Sequence, residues 1–198
     1  MIAQLRSQWA RFWLRRSKFS GSYHDLQRLY AIKDPWNLGS AKEQHRFAAS
    51  NAIIRRIVGD CDSLLELGCG EGFQTVWLAQ LSHTVAGIDV SEKAVERARL
   101  VCPQAELKVG TAEGVRALFP QRRFDLVTAF EVLYYSNDIG RVLDEMQQIS
   151  DCLLVTNYAE RARQMRTYFV GPGWSRLEDI VAEGTVWEAY TWKRPQSQ

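Results

Sequence analysis

The stretch "LLELGCGEGF", residues 64–73, packs three glycines, Gly68, Gly70 and Gly72, into five positions. They follow an apolar run that carries one carboxylate, Glu66. Glycine costs backbone entropy on folding and weakens both helices and strands. Three in alternation therefore mark a turn where something lies against bare backbone. The apolar run reads as a buried strand over 63–67, and residues 71–81 read as a helix. In a sheet built from such units, the first strand-to-helix turn faces the crevice at the carboxyl ends of the strands, where ligands bind.

The same alternation continues downstream. Strands are predicted over 84–89, 105–109, 124–130 and 152–157, and helices over 91–101, 138–149 and 159–169. Short apolar strands alternating with helices imply a parallel sheet covered on both faces. Residues 175–194, "SRLEDIVAEGTVWEAYTWKR", hold two strand-like runs separated near Glu183 and Gly184. They read as an antiparallel hairpin added to the sheet edge. The expected fold is α/β: a doubly wound, Rossmann-like, mostly parallel seven-stranded sheet with an antiparallel C-terminal hairpin and N-terminal helices.

Upstream, "DPWNLG", residues 34–39, punctuates the chain. "SAKE", residues 40–43, matches a capping box and predicts a helix from Ser40 to Val58, ending at Gly59. In residues 1–28, Ile2, Leu5, Trp9, Phe12 and Trp13 form an apolar stripe at helical spacing. Arg6, Arg11, Arg15, Arg16 and Lys18 surround it, and no acid appears before Asp25. Such a helix either lays its stripe on the domain or rests on an anionic membrane surface or a partner's groove.

A chain of 198 residues suits one domain. It divides into a helical cap over 1–59 and a core over 60–198. A composition 46% hydrophobic and 24% charged is that of a folded protein. A net charge of +2 is too small to argue for nucleic acid. Cys61, Cys69, Cys102 and Cys152 are widely spaced with no C-x-x-C pair, which argues for reduced thiols in the cytoplasm and against a metal site. No apolar run approaches the about 18 residues of a membrane span, and the N-terminus lacks a signal-peptide core.

A dinucleotide fingerprint spaces its glycines G-x-G-x-x-G. Here the spacing is G-x-G-x-G, with Phe73 following. A pyrophosphate at the helix N-terminus would also meet Glu66 and Glu71. A ligand with a positive centre fits better.

"ELGCGEG" resembles motif I of the class I S-adenosylmethionine-dependent methyltransferases. Asp89, closing "VAGID" 17 positions after Gly72, is similar to the acid that holds the ribose hydroxyls in that family. "GTAEG", residues 110–114, resembles the segment bordering the adenine, and "FDLVTAFEVLYY", residues 124–135, resembles motif IV. More narrowly, "DPW", the S-x-x-E-Q-x-R-F pattern from Ser40 to Phe47, and "EVLYY" resemble the NodS family of nodulation methyltransferases. Those methylate an amine of a deacetylated chitooligosaccharide.

The resemblance implies S-adenosylmethionine as cofactor, S-adenosylhomocysteine as product and no metal. It implies cofactor contacts at Glu66, Gly68, Cys69, Gly70, Gly72, Asp89, Val90, Thr111, Ala112, Glu113, Phe130 and Glu131, with Trp36 and Arg46 reaching in from the cap. Glu131 and Tyr134 fall on the catalytic side. The implied acceptor is a small polar molecule, an amine or hydroxyl of a sugar or related metabolite, such as an amino sugar or oligosaccharide.

Several of these residues have a second reading. Asp89 also stands where it could cap the helix after Ser91. Glu131 ends an apolar strand, where a buried unpaired carboxylate costs several kcal/mol. It therefore either lines the cleft, holding an acceptor amine or taking its proton, or pairs with Arg46. Trp36 is a lid or a plug under the N-terminal helices. Tyr134 and Tyr135 are core aromatics or face a sulfonium. His45 lies on the helix bearing Glu43 and Arg46, whereas His24 and His83 are isolated. Trp36, Glu43, Arg46, Glu131 and Tyr134 are expected to face one cleft, walled only by residues 30–47 and 131–135. The rival functions are a non-catalytic cofactor-binding or interaction module that uses the basic N-terminus, and a nicotinamide-dependent oxidoreductase. Glycine spacing and Glu71 disfavour the latter.

Overall fold

The computed structural model describes residues 23–195. Strand β1 (Cys61–Leu67) lies mid-sheet and pairs in parallel with β2 (Ser82–Asp89), which pairs in parallel with β3 (Glu106–Val109). On its other flank β1 pairs in parallel with β4 (Leu126–Phe130), and β4 with β5 (Cys152–Tyr158). Leu64, Leu65 and Leu67 are fully buried, as expected of a strand covered on both faces. The strand order reverses between β1 and β4, so the crevice opens over their carboxyl ends.

The antiparallel part differs from expectation in one respect. Strands β6 (Trp174–Arg176) and β7 (Ile180–Ala182) precede the long β8 (Thr185–Lys193), which pairs antiparallel with β5. On the far flank of β8, β6 pairs with Tyr190–Trp192 and β7 with Thr185–Trp187. Among the described residues, eight strands thus occupy seven columns, the last column being split in two. The predicted hairpin is β7–β8. Its turn residues Glu183 (φ 47°) and Gly184 (φ 73°) are both left-handed, the conformation whose twist suits a two-residue hairpin.

Helix α1 (Tyr23–Leu29) overlaps the end of the segment 1–28 that reads as helical. The apolar stripe and its basic neighbours lie outside the described residues. Helix α2 (Ala41–Ile57) starts at Ser40, whose hydroxyl accepts from the Glu43 amide at 3.5 Å. Only half of the capping box forms. The Ser40 amide goes to the Asn37 carbonyl at 3.1 Å, which leaves the Glu43 carboxylate for Arg46 at 2.8 Å.

The helix expected over 71–81 is a single turn, α3 (Thr75–Leu78). Gly72 at φ 84° cannot begin a helix, and the bonds from Trp77 to Gln74 and from Leu81 to Leu78 have three-residue spacing. Helices α4 (Glu92–Val101), α5 (Val115–Leu118), α6 (Ile139–Ile149) and α7 (Ala159–Met165) complete the layers. Ser91 caps α4 and Asp138 caps α6 through their side-chain oxygens. Among the described residues, no helix is long and apolar enough to cross a membrane.

Candidate active site

A cavity of about 210 Å³ opens over the carboxyl ends of β1 and β4. A smaller one of about 40 Å³ adjoins it, and Leu26, Gly68, Asp89, Val132 and Tyr135 line both. The floor is the glycine loop, where all three glycines have positive φ. A Cβ on Gly68 would lie 2.6 Å from Val132 Cγ2, and one on Gly70 would lie 2.9 Å from the Tyr30 hydroxyl. One on Gly72 would lie 3.1 Å from Ala98 Cα. The first two glycines keep the cavity floor open beneath Val132 and Tyr30. Gly72 instead lets α4 pack close, and it does not line the cavity.

Asp89 sits at the end of β2 where both cavities meet. Its Oδ2 accepts from the Gly70 amide at 3.0 Å and its Oδ1 from the Ser91 amide at 2.9 Å. The α4 cap is the Ser91 hydroxyl, so the capping reading of Asp89 is set aside. Burial pushes Asp89 up to about 6, against the pull of those amides. Glu66, which accepts from the Thr75 hydroxyl at 2.6 Å, is pushed up to about 7 by burial.

Glu131 follows β4 with a left-handed backbone (φ 60°), a costly conformation for a side-chain-bearing residue and one that clusters at functional sites. Its Oε2 accepts from the Tyr134 hydroxyl at 3.1 Å and from the Tyr158 amide at 3.0 Å. Its Oε1 is buried and has no partner among the described residues. Burial pushes Glu131 to about 7, with the Arg46 charge opposing the rise. Arg46 is not its hydrogen-bonding partner. The guanidinium donates to Glu43 and, at 3.0 Å, to Gln74 Oε1.

The roof comes from the cap segment. Leu26, Tyr30, Trp36 and Leu38 line the larger cavity. Trp36 lies 5.7 Å from the Tyr135 ring, and Tyr135 lies 4.5 Å from Tyr134. The Tyr23 hydroxyl donates to Glu113 at 2.5 Å.

The five residues expected in one cleft, Trp36, Glu43, Arg46, Glu131 and Tyr134, all line the larger cavity, together with Glu66, Gly68, Cys69, Gly70, Asp89 and Phe130. Val90 and Ala112 line the smaller one. Thr111 is exposed and lines neither cavity. Glu113 is spent on Tyr23 and on the Asn137 amide.

His45 is exposed on the outer face of α2, and His83 is exposed beside Asp62. Glu71 is buried beneath the loop against Arg97, so the electrostatic case against a pyrophosphate rests on Glu66, Asp89 and Glu131. The cleft has a third wall, Trp187 of β8. Leu26, Gln74 and Trp187 line the cavity from outside both predicted walls. The S-x-x-E-Q-x-R-F pattern flagged the α2 wall, but no local pattern flags a residue brought in by the C-terminal strand.

Residues 65–150 match a family model described as a methyltransferase domain. The chain resembles the class I S-adenosylmethionine-dependent methyltransferases. Among curated relatives, it is 37% identical over 115 residues to nodulation protein S of Bradyrhizobium diazoefficiens, covering 58% of this chain and 54% of the relative. It is 33% identical over 124 residues to nodulation protein S of Sinorhizobium fredii, covering 61% and 56%. The chain spans about half the length of these relatives. The structure of the N-methyltransferase NodS from Bradyrhizobium japonicum, in complex with S-adenosyl-L-homocysteine, superposes with a TM-score of 0.73 at 21% identity. That match covers 89% of this chain and all of the other. The methyltransferase match runs from within β1 to just past α6, so it contains the glycine loop, Asp89 and Glu131.

Proposed function

We propose that this protein transfers a methyl group from S-adenosylmethionine to an amine of a small polar acceptor, such as an amino sugar. The observation that carries this reading is the charge of the cavity. Among the described residues, Glu43, Glu66, Asp89 and Glu131 line it against one cation, Arg46. Such a wall favours a cationic ligand and opposes a pyrophosphate. Asp89 accepts from the Gly70 and Ser91 amides and keeps lone-pair capacity for ribose hydroxyls. Tyr30, Trp36 and Val132 would cover the ligand, and Val90 and Ala112 would border its base.

The cofactor supplies a methyl group on an already activated sulfonium, so the protein mainly has to orient and desolvate the reactants. Trp36 and Leu38 exclude water from above. Tyr134 and the Tyr158 amide fix the Glu131 carboxylate through Oε2 and leave Oε1 for the acceptor. An amine attacks only when unprotonated. Glu131 at about 7 is matched to that proton transfer near neutral pH. The aromatic faces of Trp36, Tyr134 and Tyr135 suit a sugar ring.

Calorimetry tests the reading. S-adenosylmethionine and its demethylated product should bind, and nicotinamide dinucleotides should not. Glu131→Gln should keep cofactor affinity and lose methyl transfer to glucosamine-type acceptors. Preference for a dinucleotide would sink the proposal, and cofactor binding without transfer to any amine or hydroxyl would leave a non-catalytic binding module.

A further inference from the structure

We infer that Gln74 recognises the carboxylate of the cofactor's amino-acid moiety, an assignment that rests on the functional reading above. Gln74 is buried, 5% exposed, and lines the larger cavity from the turn beneath α2. Its Oε1 accepts from Arg46 Nη1 at 3.0 Å. A guanidinium carries donors only, so the amide cannot turn over without setting donor against donor. That fixes the orientation of the side chain. Nε2 is the other end, and it has no hydrogen-bond partner among the described residues.

The remaining polar lining decides what Nε2 meets. Glu66, Asp89 and Glu131 dispose the rest of the cavity toward cations and hydroxyls, Glu43 is taken up by the Nε edge of Arg46, and Arg46 is the one cationic side chain of the lining among the described residues. An anionic part of a ligand therefore has one favourable place, beside Arg46 and Gln74. The methyl donor carries one anionic group, its carboxylate. Arg46 supplies charge there, and Gln74 supplies a directed N–H that a free amide would otherwise leave unsatisfied in the apolar wall.

The test compares two thioethers by calorimetry on the full chain. S-adenosylhomocysteine carries the amino-acid moiety, and 5′-methylthioadenosine lacks it. Gln74→Leu should weaken S-adenosylhomocysteine about tenfold, the scale of one charge-assisted hydrogen bond, and leave methylthioadenosine unchanged. Gln74→Glu keeps an acceptor for Arg46 and replaces the N–H by oxygen. It should bind S-adenosylhomocysteine more weakly than the leucine variant does. If glutamate restored wild-type affinity, Gln74 would act only by holding Arg46, and the assignment would fail. Equal losses for both thioethers, or no loss, would also overturn it. A wild-type chain that binds neither thioether overturns the functional reading and this assignment with it.

Discussion

The Glu71 carboxylate joins three parts of the molecule through two oxygens. Oε1 takes the guanidinium of Arg97 on α4, and Oε2 accepts the Asp34 amide at 2.6 Å. Arg97 also donates to the Ile32 carbonyl at 3.2 Å. Asp34 in turn accepts from the Leu38 and Gly39 amides, so the turn that carries Trp36 is tied to the glycine loop through one buried acid.

Arg97→Ala should therefore do two things. It leaves Glu71 buried and uncompensated, which should cost about 1–3 kcal/mol in a denaturant titration. It also frees the 32–39 turn, so S-adenosylhomocysteine affinity should fall and Trp36 fluorescence should lose its dependence on that ligand. Adding Glu71→Gln should recover stability but not affinity. Recovery of both would show that the clasp has no bearing on the roof.

Asp89→Asn keeps the side-chain shape and removes the charge. S-adenosylhomocysteine binding should weaken by roughly 1.5–3 kcal/mol, the worth of hydrogen bonds to a charged group. Calorimetry on a variant with native circular dichroism checks this. Unchanged affinity would place the ribose elsewhere.

Burial raises Glu66 and Glu131 to about 7 and Asp89 to about 6. The folded state thus holds protons that the unfolded chain releases at lower pH. These groups contribute stability below their unfolded values, near pH 4, and that contribution is lost as pH rises through 6 to 7. The melting temperature of the free protein should therefore fall between pH 5.5 and about 8. Over the same window S-adenosylmethionine should bind more tightly, because its sulfonium favours the ionised acids. Uncharged methylthioadenosine should gain less. A melting temperature that climbs steadily through this window would contradict the assignment of these three acids.

Gly59 and Gly68 both have positive φ, but a Cβ on Gly59 meets nothing within 4 Å, whereas one on Gly68 strikes Val132. Gly59→Ala should cost only backbone strain, about 1–2 kcal/mol, with ligand binding intact. Gly68→Ala should cost more and weaken ligand binding, since Val132 lines both cavities. Equal stability losses with unaltered binding in both variants would show that the contact between Gly68 and Val132 does not shape the ligand site.

The sheet and the floor of the cavity are legible because both are written in local pattern. Apolar runs of strand length marked β1, β2, β4 and β5, and glycine alternation with Asp89 marked the crevice. The single-turn α3 is shorter than its sequence predicts, because the apolar residues of 75–81 suit a helix while the φ of Gly72 is invisible in sequence. Strand β6 is three residues long and is defined by its partner Trp192 rather than by its own pattern. Gln74 reads as an ordinary polar residue until Arg46 fixes its amide. Trp187 reads as strand core until β8 is seen to lie beside β5.

The split last column has a consequence for the protein in crowded solution. A long exposed strand offers a row of unpaired amides and carbonyls to any neighbouring chain. Here that row is broken into two three-residue pieces. The interruption carries Glu178, paired with Arg56, and Asp179, paired with Arg176. At the opposite border β3 is only four residues long and bears Lys108. Neither border is long enough or bland enough to recruit another copy by strand addition, so filling in residues 177–179 with a continuous β-branched strand should turn this protein toward aggregation.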